Sequence, residues 1–182
     1  MDSLELLTTR RSSKNLFAPA PDELQLDSIL QAATQVPDHG GLTPWRFVVI
    51  NSETGLQRFQ AALCDTVIHN QMGEEAMKKA ERVGKMAPMV IAVIASPKAG
   101  KPEWEQTLSA GCAAYAIQLA TNAQGFDNVW ITGMWVHSPI LRDAFACSES
   151  EKIIGLMMIG TSENPALHQP KNTDVNEFTQ YW

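Results

Sequence analysis

Five residues near the start of the chain, Arg10-Arg11-Ser12-Ser13-Lys14, gather two guanidiniums, two hydroxyls and an ammonium in a protein whose formal net charge is -6. A guanidinium holds two phosphate oxygens through parallel N–H donors, hydroxyls add short neutral hydrogen bonds, and a lysine adds a point charge. So compact a cluster suits a phosphate monoester better than a long polyanion, which needs basic residues spread over a face. Taken alone, the same five residues also fit a solvated basic turn after a short helix. A second stretch, Pro37-Asp38-His39-Gly40-Gly41-Leu42-Thr43-Pro44-Trp45-Arg46-Phe47, moves the balance toward a binding site. Its paired glycines let the backbone come close to a neighbour or simply make a tight turn, and His39 lies in that loop beside Asp38.

Other chemistries lack their residues. The sequence has no G-x-x-x-x-G-K-[ST] phosphate loop, no G-x-G-x-x-G after a strand and no G-x-S-x-G elbow. No histidine pair has zinc-ligand spacing; His69, His137 and His168 are scattered and read as surface or structural histidines. A phosphate-type cluster without a nucleophile, metal site or nucleotide loop points to a phosphorylated cofactor that carries its own chemistry. Trp45, Trp130 and Trp135 fit either a planar ligand or an aromatic core.

The elements that must position these residues follow from patterning. Ser3 to Thr9 is a short helix that delivers the basic cluster, and Asn15 to Pro21 is an extended connector. Asp22 and Gln25 form a capping-box pattern before Leu26, Ile29, Leu30 and Ala33, a stripe at helical spacing that Pro37 stops. Phe47 to Ile50 reads as a strand covered on both faces, and Val90 to Ile94 and Ile153 to Gly160 as buried strands. Helices are expected over Leu56 to Leu63 and Ile68 to Val83, with Lys78, Lys79 and Arg82 on a solvated face. Pro102 opens a long helix to Gly125 whose middle, Ser109 to Ala114, is rich in small residues. With few charges after Glu105 it is expected to be buried nearly all round, partly by a second subunit. Val129 to Ile131 is a short strand, and Ser138-Pro139 caps a helix to about Ala146. The polar tail from Thr161 to Trp182 needs a surface to lie on, in its own subunit or a partner.

Composition bounds the class. At 182 residues, 45% hydrophobic and 19% charged, the chain reads as one domain, 1–182. A sequence pI of about 5.2 argues against nucleic acid or an anionic membrane as partner. Cys64, Cys112 and Cys147 lie far apart, as reduced thiols of a cytoplasmic protein do. The acidic start Met1-Asp2-Ser3-Leu4-Glu5 does not resemble a signal peptide, and no apolar run is long enough to span a bilayer.

The cluster Arg10 to Lys14 after an N-terminal helix, followed by Pro37-Asp38-His39 and Pro44-Trp45-Arg46-Phe47, resembles the nitroreductase family of FMN-dependent oxidoreductases. Trp104-Glu105-Gln106, Gln124-Gly125-Phe126 and Val129-Trp130-Ile131-Thr132-Gly133 extend the likeness from Leu4 to Gly160, closest to the small single-domain NAD(P)H nitroreductases. The resemblance implies an α+β fold, a central mixed β-sheet flanked by helices, in an intertwined homodimer with two FMN sites at the subunit interface. It implies that Arg10, Ser12 and Lys14 hold the FMN phosphate and the pyrimidine side of the flavin, with Arg11 contributing at least its backbone. Pro37, Asp38 and His39 approach the ring from the partner subunit, and Gln35 stands where some small relatives carry Arg. Trp130, Ile131, Thr132 and Gly133 line the flavin edge. No side chain is assigned as catalytic and no metal is implied, because the flavin carries the chemistry. Hydride passes from NAD(P)H through FMN to an oxidised acceptor such as a nitroaromatic or quinone, in ping-pong turnover. Larger relatives place an Asn/Lys pair in mid-chain and a basic pair near the C-terminus; neither has a clear match here, and Lys171 is a loose candidate. The alternatives are a flavin enzyme of different reaction type on this fold and a non-enzymatic module that senses flavin or a phosphorylated metabolite.

Overall fold

Seven consecutive residues, Met89 to Ala95, are apolar and every one is buried, so this strand must be covered on both faces. In the computed structural model, which describes residues 2–163 and 172–182, it lies inside a four-stranded sheet with helices on either side. The elements are α1 (Ser3–Thr9), α2 (Glu23–Ala33), β1 (Trp45–Ile50), α3 (Glu53–His69), α4 (Glu74–Gly84), β2 (Met89–Ala95), α5 (Glu103–Ala123), β3 (Asp127–Ile131), α6 (Pro139–Ala144) and β4 (Lys152–Gly160). Two short 3-10 turns, Gly133–His137 and Val175–Phe178, complete the chain.

Strand order is β1-β2-β4-β3. The period-two alternation of β2 sorts its side chains into two cores. Val90, Ala92 and Ile94 face a cluster with Phe59, Leu63, Trp135 and Leu141 from the α3, α4 and α6 side. Ile91 and Val93 face Ile29, Ala113 and Ile117 from α2 and α5. The α+β class stands, but the pairings of the sheet are all antiparallel, where a mixed sheet was expected. The long α5 crossover does leave β2 and β3 running the same way; β4 enters between them, so they never pair. β1 is an edge strand, and five of its six residues are only half-buried, which corrects the expectation of a strand covered on both faces.

Local signals worked as their physics dictates. Asp22 accepts from Gln25 N while the Gln25 side chain accepts from Asp22 N, closing the capping box. Ser138 caps α6 with Pro139 at its first turn, although the helix ends at Ala144 rather than Ala146. Pro102 is the N-cap of α5, one position before the first helical turn expected of it.

The small residues of α5 divide differently from expectation. Ala110, Ala113 and Ala114 are fully buried under the chain's own sheet. Within one chain the helix is covered on that face only: Trp104, Leu108, Cys112 and Tyr115 stand exposed on the other, the part expected to meet a second subunit. The tail beyond residue 172 exposes Val175, Phe178, Tyr181 and Trp182. His168 and Lys171 lie outside the described residues. Among the described residues no helix is long and apolar enough to cross a membrane, and no group of acids, histidines and cysteines has the arrangement of a metal site.

Candidate functional site

The basic cluster leaves α1 in an extended conformation and is fastened to the sheet. Asp2 Oδ1 accepts from Leu4 N at 2.9 Å to cap α1, and Ser13 N donates to Asn128 O of β3 at 3.0 Å. Phe17 and Thr161 exchange both backbone hydrogen bonds at 2.8 Å. Ser13 Oγ lies 3.4 Å from Ser162 Oγ. Residues 10–17 thus run beside the β3 end of the sheet as a rigid strap.

Within that strap the two arginines differ. Arg11 folds back, donating from Nη1 to Thr8 O at 3.1 Å and Arg10 O at 2.8 Å, so its guanidinium closes the C-terminal end of α1. Arg10 Nη1 is buried and has no hydrogen-bond partner among the described residues. A cationic donor in that state is costly, on the order of 1–3 kcal/mol or more, unless an anion reaches it. An oxyanion such as a phosphate fits this donor, and the exposed Ser12 hydroxyl stands two residues on.

Beyond Lys14 lies a cleft of about 670 Å³, within the range of small-molecule and cofactor sites. Its walls are Lys14 to Phe17 of the strap, Lys79, Arg82, Val83, Lys85 and Met86 of α4 and its exit, and Val129 to Thr132 with Trp135. Trp135 is fully buried beneath it, as a core aromatic. Trp130 lies across β4: its Nε1 donates to Ile154 O at 3.3 Å. A Cβ at position 155 would sit 1.9 Å from that indole nitrogen, so only glycine admits the ring. Lys14, Trp130, Ile131 and Thr132 all border this cleft, whereas Arg10, Arg11, Ser12 and Gly133 do not line it. Lys79, Arg82 and Lys85 were not foreseen as part of a site. Lys78, Lys79 and Arg82 are all exposed, as a solvated face requires, and Lys78 pairs with Glu74 at 2.8 Å; Lys79 and Arg82 also border the cleft. The 79, 82, 85 spacing was the available signal.

The second stretch lies elsewhere. Asp38 Oδ2 accepts from Thr43 N at 2.6 Å, Gly41 N donates to Asp38 O at 3.2 Å, and Gly40 and Gly41 adopt positive φ of 91° and 64°. His39 Nδ1 is 2.6 Å from Glu105 Oε2 at the start of α5. Below, buried Gln106 donates to Lys98 O and Lys101 O and accepts from Lys98 N, fixing the loop against which residues 39–43 rest. This loop enters β1, whereas Trp130–Gly133 leave β3. Those strands are the two edges of the sheet, three intervals or about 14 Å apart. Gln35, Pro37, Asp38 and His39 do not line the cleft of their own chain.

Arg46, next to that loop, is held through its Nε and Nη2. Its Nε donates to Glu151 Oε1 at 2.6 Å and its Nη2 to Glu151 Oε2 at 2.9 Å and Phe145 O at 2.9 Å. The Arg46 guanidinium holds the Glu151 carboxyl down at about 2, with Ser148 N donating to it as well, against the opposing effect of burial. Burial pushes the thiols of Cys64 and Cys147 up, so neither is an activated nucleophile.

Residues 7–161 match the Nitroreductase family, and the chain belongs to that family. A Haemophilus influenzae protein named "Putative NAD(P)H nitroreductase" is 48% identical over the full length of both chains. Among solved structures, a nitroreductase-like family protein from Bacillus cereus superposes with a TM-score of 0.85 at 19% identity, covering 100% of this chain and 96% of its own. An FMN- and NADPH-dependent nitroreductase from Sphigopyxis sp. strain HMH has a TM-score of 0.80 at 16% identity, covering 100% and 99%.

Proposed function

We propose that this chain is an FMN-dependent NAD(P)H oxidoreductase, a single cytoplasmic domain over 1–182 that works as a homodimer. The observation that carries the reading is the buried Nη1 of Arg10, without a partner among the described residues, at the head of a strap leading into the cleft. Bound FMN supplies the chemistry, accepting hydride from NAD(P)H and passing reducing equivalents to an oxidised acceptor, such as a nitroaromatic or quinone, in two alternating half-reactions.

The chain's own residues bind and orient. Arg10 and Ser12 hold the phosphate, Arg11 closes α1 behind them and contributes backbone, and Lys14 stands at the pyrimidine side. A cation there favours the negative charge that a reduced flavin carries. Trp130, Ile131, Thr132 and Gly133 form the wall against the ring edge, with backbone N–H groups available to it. Gln35, Pro37, Asp38 and His39 complete the site from a second copy, because within one chain they sit at the opposite edge of the sheet. Support for that second copy comes from the exposed face of α5, Trp104, Leu108, Cys112 and Tyr115, and from the apolar side chains of the tail. Neither has a covering surface among the described residues.

An absorbance spectrum of the purified protein before and after FMN addition tests the cofactor, and anaerobic NADPH tests the enzyme. Saturable FMN binding followed by bleaching is expected. Binding without bleaching would favour the sensing module, and no binding would remove the flavin reading.

A further inference from the structure

We propose that the α4 face bearing Lys79, Arg82 and Lys85, together with Lys14, is a subsite for an oxyanion substituent on the small molecule that enters the cleft. The fourteen cleft-lining residues include four cations and no carboxylate, in a chain with net charge -6. Positions 79, 82 and 85 recur every three residues, which brings their side chains to one side of the helix and its exit. None of the acids of α4 lines the cleft: Glu74 and Glu75 pair with Lys78, and Glu81 is near enough to help raise the Cys64 thiol. None of the four cleft cations has a carboxylate partner among the described residues, whereas Lys78, Lys152 and Arg46 each have one.

Complementing the negative end of a helix accounts for basic residues in its last turn. It does not account for Lys79, a turn earlier in α4, nor for a cleft without acids. The rest of the lining is mostly apolar, with Leu16, Phe17, Val83, Met86, Ile131 and Trp135, and Asn15 and Thr132 are its neutral polar members. The complementary ligand has a flat apolar body and a carboxylate, sulfonate or phosphate at its margin. That oxyanion can come from the hydride donor, as the extra ribose phosphate that distinguishes NADPH from NADH, or from the acceptor, as a ring carboxylate. The inference rests on the proposed reaction for the identity of these two molecules, but the subsite can be tested without turnover.

Trp135, buried directly beneath the cleft, reports on it by fluorescence. Quenching of the full-length protein by p-nitrobenzoate and by neutral p-nitrobenzyl alcohol gives the acceptor arm; NADPH against NADH gives the donor arm. The anion of at least one pair is expected to bind about tenfold tighter in low salt, the scale of a few partly exposed charge contacts. That preference should fall to about twofold in the double variant K79Q/R82Q, and the arm that falls identifies the source. Should the variant fail to fold, loss of the parent's preference at high salt decides the matter instead. Equal binding of anion and neutral partner in both arms, or a preference that survives the double substitution or high salt, overturns the subsite. FMN uptake is read in the same samples. Loss of the subsite with FMN bound leaves the flavin reading intact, and an anion preference in protein that takes up no FMN does the reverse.

Discussion

Arg10 and Arg46 sit near opposite edges of one sheet and have opposite surroundings. Arg46 makes a two-pronged contact with Glu151 and donates to Phe145 O, joining the β1 edge to the turn before β4. Arg10 reaches a buried position with Nη1 unpartnered among the described residues. A guanidinium paired with a carboxylate of its own chain stabilises the fold; a buried donor left unpaired is arranged for something that binds. The two can be told apart by experiment, because removing the first should cost stability and removing the second should cost affinity.

The largest effect belongs to the satisfied arginine. The Glu151 carboxyl is held at about 2, against 4.5 for an ordinary glutamate, and it is well buried. A shift of that size corresponds to about 2–3 kcal/mol of stability at neutral pH once the partial exposure of Arg46 is allowed for. Because the folded-state value is depressed, this contribution is complete above about pH 5 and is lost as pH falls through 4.5 toward 2. Glu151→Gln should therefore lower the melting temperature by roughly 5–10 °C at pH 7. The gap between mutant and parent should narrow between pH 5 and pH 2 in thermal melts. A gap that stayed constant over that range would mean that packing, not the ion pair, holds this corner.

Arg10→Ala should do the reverse. Charge-assisted hydrogen bonds to a phosphate are worth roughly 1.5–3 kcal/mol, so FMN affinity should fall about tenfold to a hundredfold by fluorescence titration. Riboflavin, which lacks the phosphate, should bind parent and mutant alike. The apoprotein's melting temperature should hold or rise, since a buried unsatisfied donor has been removed. A destabilised apoprotein with unchanged FMN affinity would place Arg10 in the same structural class as Arg46.

How far these roles were legible in the sequence depended on whether the deciding contact was local. The Asp22–Gln25 box, the Ser138-Pro139 start and the all-buried β2 strand are written within a few residues, and each appeared with boundary shifts of a residue or two. The cluster at 10–14 was visible as chemistry, but nothing local distinguishes Arg11, which closes α1, from Arg10, which is left unpartnered. β1 looked like a central strand because Phe47 to Ile50 is continuously apolar; its place at the edge is set by which strands pair, a long-range property. Lys79 and Arg82 are solvated charges, as the sequence suggests, but only the fold brings α4 beside Lys14 and Ile131.

A smaller effect tests the surface between copies. A side chain at Gly111 would meet nothing within 4 Å in a single chain, and this glycine lies beside the exposed Leu108, Cys112 and Tyr115. Gly111→Leu should therefore leave monomer folding nearly unchanged and act on a second copy alone, weakening association by about 1–2 kcal/mol. Sedimentation should show roughly five- to thirtyfold weaker dimerisation, and bound FMN should be lost in parallel if two chains complete each site. A clean monomer that kept parental FMN affinity would make the site self-contained.

The smallest effect probes the β1 edge directly. His39 and Glu105 approach to 2.6 Å, but the His39 side chain is 60% exposed, and pairs in such settings contribute less than about 1 kcal/mol. The loop's shape depends instead on the Asp38 Oδ2 contact to Thr43 N and on the positive φ of Gly40 and Gly41. His39→Gln should therefore leave the melting temperature within about 2 °C of the parent. If His39 reaches the flavin of a second copy, the same substitution should still weaken FMN binding by roughly two- to fivefold, the scale of one peripheral contact. It should do so only at protein concentrations where the dimer forms. That concentration dependence separates a contact made across the interface from a loop that merely rests on α5: in the second case FMN affinity would not change at any concentration. In the first, the effect of His39→Gln and that of Gly111→Leu would not add, since a site already deprived of its partner has no loop left to lose.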